Sequence, residues 1–198
     1  MSKNYFGSDF HLGHINVLRY DNRPFDSIEE HDYDILKYLE NTLKPGDNFY
    51  YMGDFSMFKK RKGQTDRTEE YLDRIWGTGA NLYFIKGNHD HDNTIKLYKK
   101  YGKYLGGLER IKINGQDIVL CHYAMRVWDK SHYGSWHLYG HSHDNLDYNK
   151  ESWGKSMDCG IVSAWRLVDK PIFEFEDIEN LMKDREDNII DHHDGNRE

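Results

Sequence analysis

The sequence predicts one α/β layered domain spanning residues 1–198, with its chemistry gathered at the carboxyl ends of strands. Three observations carry this. Apolar runs of strand length alternate with amphipathic runs of helical period. No internal repeat, low-complexity tract or Gly/Ser/Pro linker divides the chain, and Pro is scarce, at 3. Asp9, Asp54, Asn88 and His122 each follow a strand-like run, where open α/β folds bind their ligands.

Residues 3–9 read as a first strand. Ser27, with Glu30 three residues on, makes a capping box that opens a helix. Its apolar face carries Ile28, Ile35, Leu36, Leu39 and Leu43, and Pro45-Gly46 stops it. Phe49–Met52, bracketed by Gly46 and Gly53, is a second strand. Asp66 and Glu69 open a second helix, with Tyr71, Leu72, Ile75 and Trp76 inward. Leu82–Ile85 is a third strand, and Ile95, Tyr98 and Tyr101 mark a third helix. Ile118–Cys121 and the shorter Trp136–Tyr139 complete the strands. Ile178, Leu181, Met182 and Ile189 mark a C-terminal helix, which frays into a disordered polar tail over 191–198.

A chain of 198 residues is long enough to bury a core without covalent staples. The aromatic share is high at 15%, with 15 Tyr and 5 Trp, so some of these rings line a cleft or the surface. Cys121 and Cys159 are the only cysteines, which is no disulfide framework and fits a reducing compartment. MSKNYFGSDF has no apolar leader run, and no stretch of about 18 apolar residues occurs, so the expectation is a soluble, cytoplasmic protein with no membrane partner. A net charge of −7 argues against duplex DNA as a partner. It leaves a small anionic substrate open, because bound divalent metals invert the local sign.

Five clusters offer metal-type donors. Asp9-Phe10-His11 places an oxygen and an imidazole on alternate residues leaving a strand. Gly53-Asp54 ends a strand with a carboxylate beside a residue that lets backbone come close. Gly87-Asn88-His89-Asp90 supplies an amide oxygen and then an imidazole. His122 ends the apolar run IVLC, and Gly140-His141-Ser142-His143 again alternates two imidazoles. Taken singly, each has an ordinary structural reading: a turn former for Asp9, Asp54 or Asn88, a satisfied core histidine for His122. Together, in this order and at strand ends, they are hard to read as turns. Mixed carboxylate, imidazole and amide donors suit Mn, Fe, Zn or Ni better than Ca or Mg. Asp9, His11, Asp54, Asn88, His122, His141 and His143 are too many donors for one ion and enough for two, if one carboxylate bridges.

SDFHLGH, GDF, KGNHD, CHY and GHSH resemble, in order and type, the five motifs of the calcineurin-like metallophosphoesterase family over residues 8–143. SDFHLGHINVLRYDNRPF is most similar to the small bacterial and phage phosphoesterases of that family. The resemblance implies a four-layer αββα sandwich of two mixed sheets flanked by helices, with a dinuclear metal site at strand ends. It implies that Asp9, His11 and His143 hold the first ion, that Asn88, His122 and His141 hold the second, and that Asp54 bridges them. Two divalent transition-metal ions, Mn foremost, are the implied cofactors. His89 and Asp54 take the catalytic roles: His89 contacts the phosphate with Asn88 and protonates the leaving oxygen, oriented by Asp90 or another acid. The implied nucleophile is a hydroxide bridging the metals. One departure stands out. Protein phosphatases of the family follow the second-motif Asp with Asp-Arg-Gly, and GDFSMFKKRK has no such tripeptide.

Around these motifs, His14, Asn16, Arg23 and Arg126 lie near enough in sequence to reach substrate. His14, Arg23 and Arg126 are candidate substrate contacts, the two arginines through phosphate, and base or ring stacking by Trp128 is weighed beside them; the alternative is an exposed aromatic loop, including His132 and His137, with solvated charges. Lys59–Lys62 is read as a solvated loop rather than a substrate-steering patch, and His192-His193 are given no role. The function expected is a metal-dependent phosphodiesterase acting on a small nucleotide-like phosphodiester. A phosphomonoesterase is the main alternative, with a DNA nuclease or an inactive scaffold behind it.

Overall fold

The computed structural model describes residues 2–58, 66–148 and 153–187. Strands β1 (Asn4–Gly7), β2 (Asn48–Tyr51), β3 (Asn81–Ile85) and β4 (Lys103–Gly106) run parallel in the order β4-β3-β2-β1. The two-residue β9 (Phe173–Glu174) adds antiparallel to β1. Each of the first four strands lies beside its predecessor, so right-handed crossovers place the connecting helices on one face. After the short α1 (Ile15–Tyr20), these are α2 (Ile28–Thr42), α3 (Thr68–Trp76) and α4 (Asp92–Tyr101). Ile35, Leu36 and Leu39 of α2, Tyr71, Leu72 and Ile75 of α3, and Tyr98 of α4 share one core with Tyr5, Phe49, Tyr51, Leu82 and Phe84 of the sheet. Burying a side chain of that size is worth about 1.5–3 kcal/mol.

The alternate strand residues face the other way. Phe6, Tyr50, Met52 and Ile85 pack against a second sheet, in a second core with Ile118, Leu120, Leu138 and Met157. That sheet has the order β5-β6-β7-β8, from β5 (Leu108–Ile113), β6 (Gln116–Cys121), β7 (Trp136–Tyr139) and β8 (Ser156–Asp158). β5 and β6 form an antiparallel hairpin, and β6, β7 and β8 run parallel. Two mixed sheets flanked by helices is the architecture the family resemblance implied. After the one-turn α5 (Asn145–Tyr148), α6 (Ile161–Val168) and α7 (Phe175–Met182) follow. Ile161 of α6 joins the first core, while Ala164 of α6 and Phe175, Ile178 and Met182 of α7 join the second. The outer face of the second sheet, through His137, is covered by residues 123–135, where Trp128 lies buried against the His137 ring.

The α2 cap forms as expected on one side, with Ser27 Oγ accepting from Glu30 N; the Glu30 carboxylate reaches one residue further back, to Asp26 N. The first strand is shorter than its apolar run because Asp9 and His11 take left-handed backbone, φ 58° and 51°. Sequence reasoning missed β4, β5, β8, β9, α1, α5 and α6. Lys59–Lys62, Ile189 and His192-His193 lie outside the described residues. Among the described residues, no helix is long and apolar enough to cross a membrane.

Candidate metal centre

The loops leaving β1, β2, β3, β6 and β7 meet at the carboxyl ends of both sheets, bringing all seven sequence-predicted donors to one place. The backbone is bent to do so. Asp9, His11, Asp54, His141 and His143 all have positive φ, between 46° and 67°. Such residues cost on the order of 1–3 kcal/mol each and persist only where their surroundings impose them. The loops also touch backbone to backbone. A Cβ on Gly53 would sit 2.4 Å from Gly87 N, and one on Gly140 would sit 2.4 Å from Asp9 Oδ2, so both contacts require glycine.

Each central carboxylate divides its two oxygens. Asp9 Oδ2 accepts from His141 N at 2.9 Å, which ties the first loop to the last. Asp54 Oδ1 accepts from His89 N at 2.8 Å. The remaining oxygens face the imidazoles. Asp9 Oδ1 is buried with no hydrogen-bond partner among the described residues, and lies 3.9 Å from His11 Nε2 and 3.8 Å from His143 Nε2. Asp54 Oδ2 lies 3.4 Å from His122 Nε2 and 3.8 Å from His11 Nε2, between the two groups of donors.

Two overlapping trios of side chains could hold an ion: Asp9 with His11 and His143, and Asp9 with Asp54 and His122. In the first, the Nε2 atoms of His11 and His143 are 3.1 Å apart. Beside the second, the Asn88 amide oxygen lies 2.8 Å from both His122 Nε2 and His141 Nδ1. Donors about 2.1 Å from one ion and near right angles to each other lie about 3 Å apart, so these spacings fit ligands sharing a cation. The tautomers fit as well. His122 Nδ1 donates to Met52 O and His143 Nδ1 donates to Asp21, which leaves each Nε2 facing the cluster.

The electrostatics point the same way. Burial lifts the Asp9 carboxyl above its usual range. Burial, reinforced by His143, pushes His11 down to about 2. His122 rises to about 9, because the Asp54 contact and the Asp9 charge outweigh the burial that opposes its protonation. Against the same penalty, Asp21 raises His143, and His122 holds Asp54 low. Two carboxylates and several imidazoles thus pull against one another in a space of a few ångströms. A divalent cation resolves this, because it binds carboxylate and neutral imidazole and displaces their protons. The residues present fit such a group.

Other expectations divide. His89 is half-buried beside His11, with ring centroids 5.6 Å apart, so it borders the donors without joining either trio. Asp90 does not orient it. Asp90 Oδ2 accepts from Gly87 N and Asp54 N, and Oδ1 from Tyr98 OH, so both oxygens hold loop backbone or helix α4. His14 packs against His11 and Tyr20 and occupies the N-cap of α1, and Asn16 lies in the first turn of that helix. Arg23 is corrected. It is buried, and its guanidinium is spent on protein acceptors rather than pointed at a phosphate. Trp128 is also corrected: it is buried, with Nε1 donating to Ser135 O, and offers no face to a ligand. Arg126 is exposed and lies over the Trp153 ring, 4.0 Å from its centroid. His137 is fully buried, with Nδ1 donating to Val119 O and Nε2 accepting from Met125 N.

Three contributors went unseen in the sequence. Asp21 holds His143. Buried Asp158 accepts from Ser142 Oγ and from Asp144 N, capping the turn that carries His141 and His143. Tyr123, half exposed, packs edge-on against His141 at 4.6 Å. Asp158 alone had a local signal, a carboxylate following an apolar Met at a strand end.

The uncharacterized protein MJ1445 of Methanocaldococcus jannaschii is 30% identical over 145 residues, covering 73% of this chain and 72% of its own. The chain belongs to the MJ1445 family. The Gene 66 protein of Mycobacterium phage L5 is 25% identical and is matched over nearly its whole length, 98%, against 94% of this chain. No family model matches the MJ1445-like chain. Among solved structures, the protein of unknown function AQ665 from Aquifex aeolicus superposes with a TM-score of 0.67 at 23% identity, covering 91% of this chain and 100% of that one. That likeness shows the shared fold.

Proposed function

We propose that the protein is a phosphoesterase dependent on two divalent transition-metal ions, Mn foremost, and that it hydrolyses a small, nucleotide-like phosphodiester. The observation that carries this is the division of labour at Asp9 and Asp54: one oxygen of each fixes backbone while the other turns into a cluster of imidazoles. Asp9, His11 and His143 would hold the first ion, Asn88, His122 and His141 the second, with Asp54 between them. Bound there, the ions supply a water of lowered pKa as nucleophile and neutralise phosphoryl oxygens. His89, whose backbone N–H donates to Asp54 and whose side chain is half-buried, would protonate the departing oxygen. His89→Ala is then expected to keep its metal and to lose about 10²–10⁴-fold in kcat. The loss should shrink for p-nitrophenolate, which needs no proton.

Diesters are favoured over monoesters for a reason of charge. A monoester dianion calls for a dedicated Arg, the Asp-Arg-Gly element is missing, and Arg23 is occupied inside the protein. A diester carries one charge, which two cations meet unaided. Free thiols at Cys121 and Cys159 fit the cytoplasmic setting included in this reading. The test is a panel of divalent metals crossed with bis-p-nitrophenyl phosphate and p-nitrophenyl phosphate. Mn²⁺-dependent turnover with the diester preferred is expected. No metal-dependent turnover of either ester overturns the reading, and a tenfold monoester preference moves it to a phosphomonoesterase.

A further inference from the structure

The Arg23 guanidinium has five N–H groups, and every one has a protein acceptor. Nε and Nη2 donate to Asp21 Oδ2 at 3.0 and 2.7 Å. Nη2 also donates to Asp9 O at 2.9 Å, and Nη1 to Phe10 O at 2.7 Å and His31 Nε2 at 2.8 Å. An Arg cannot accept, so His31 Nε2 must carry a lone pair and its proton must sit on Nδ1. That proton goes to Asp32 Oδ1 at 2.9 Å, and Asp32 Oδ2 returns to the first loop by accepting from Gly13 N. Asp21, meanwhile, accepts from His143 Nδ1 at 2.8 Å. Arg23 therefore grips the two carbonyls around left-handed Asp9 and, through Asp21, sets the ring of His143 on the last loop. The fork geometry matters, since a Lys would supply three donors from one point instead of five in a plane.

We infer that Asp21 and Arg23 are positioning residues for the first ion: they join the loop of Asp9 and His11 to the loop of His143 and fix His143 with Nε2 toward the ion. The clamp makes no direct contact with the second ion's donors; it reaches them only through the Asp9 carboxylate, which accepts from His141 N, and through the loop that His141 shares with His143. His122 is held by Met52 O, and no hydrogen bond of Arg23 or Asp21 reaches Asn88, His122 or His141 among the described residues. The inference rests on the two-metal reading above, and the experiment separates their failures. Metal-free wild type, Asp21→Asn, His143→Ala and the double variant are titrated with Mn²⁺ by calorimetry, with electron paramagnetic resonance counting coupled and isolated ions. Arg23→Lys is run in parallel, and thermal melts check folding.

Wild type is expected to bind two ions. Asp21→Asn should weaken one of them by about 10–100-fold, the usual effect of losing a carboxylate behind a metal-bound His, and weaken the other by less. Because Asp21 acts through His143, the double variant should bind no worse than His143→Ala, whereas a general structural effect would add. Arg23→Lys should weaken the same ion as Asp21→Asn. Two ions bound by Asp21→Asn as tightly as by wild type overturn the inference, as do equal losses at both ions or additive losses in the double variant. A wild type that binds fewer than two ions overturns the two-metal reading itself.

Discussion

The two halves of the site are built to different standards. Around the donors proposed for a first ion, Asp9 and His11 are 0% and 3% exposed, and a closed set of hydrogen bonds from Arg23, Asp21, His31 and Asp32 surrounds them. Around the second, only His122 is buried; Asn88 and His141 are exposed, and exposed Tyr123 leans on His141. One half is preorganised and shielded from water, the other open to it. On the two-metal proposal, the rigid half would hold its ion against exchange, whereas the open half would let a substrate enter and take up a ligand position.

Asp54 stands between the halves, so its loss is the largest expected effect. Asp54→Asn should lower both ions' occupancy and abolish turnover, while the fold survives because an amide oxygen can still accept from His89 N. Elemental analysis beside a thermal melt decides this. Two full ions in an active variant would remove Asp54 from the bridging position and dissolve the boundary between the halves.

A smaller effect is expected from the order of metal loss. Under rising chelator, Mn²⁺ should leave in two steps at least about tenfold apart, matching the denser outer shell of charged groups around the first donors. His141→Ala should delete the weaker step and His11→Ala the tighter one. The reverse assignment would mean that burial and the Arg23 clamp do not govern affinity.

The smallest effect tests the open half's scaffold. His137 holds the backbone next to His122, and burial lowers it from 6.5 to about 4. A depressed folded pKa means its contribution is complete above about 6.5 and is lost as pH falls toward 4, on the order of 3 kcal/mol in all. Denaturant unfolding in chelator at pH 7 and pH 4 should show His137→Gln losing less stability on acidification than wild type. Equal losses would mean that His137 titrates normally and props nothing.

Much of this was legible because both signals were local. Each donor-bearing loop follows an apolar run, and Phe49–Met52 or Ile118–Cys121 announce themselves by burial on both faces. The β5–β6 hairpin was missed although its turn is written plainly: Asn114-Gly115, with φ 50° and 87°, is a favoured two-residue hairpin loop. The two-residue β9 had no readable signal, since it exists only by pairing with β1. Arg23 and Asp90 failed for another reason. Beside Asp21, His31 and Tyr98, their partners include backbone groups, Asp9 O and Phe10 O, or Gly87 N and Asp54 N, and backbone acceptors and donors carry no mark in a sequence. A charge beside a ligand motif reads as aimed at substrate until the carbonyls that claim it are seen.

The divided carboxylates have a consequence for descent. Asn, like Asp, tolerates left-handed backbone, and at positions 9 and 54 it can keep the oxygen that accepts from His141 N or His89 N. The genetic code sets Asn one base away from Asp. The shortest mutational step that strips charge from this centre is therefore also among the gentlest to the fold. Lineages can shed the chemistry while keeping the architecture, and a relative with Asn at either position should be read as a well-folded protein whose use has changed.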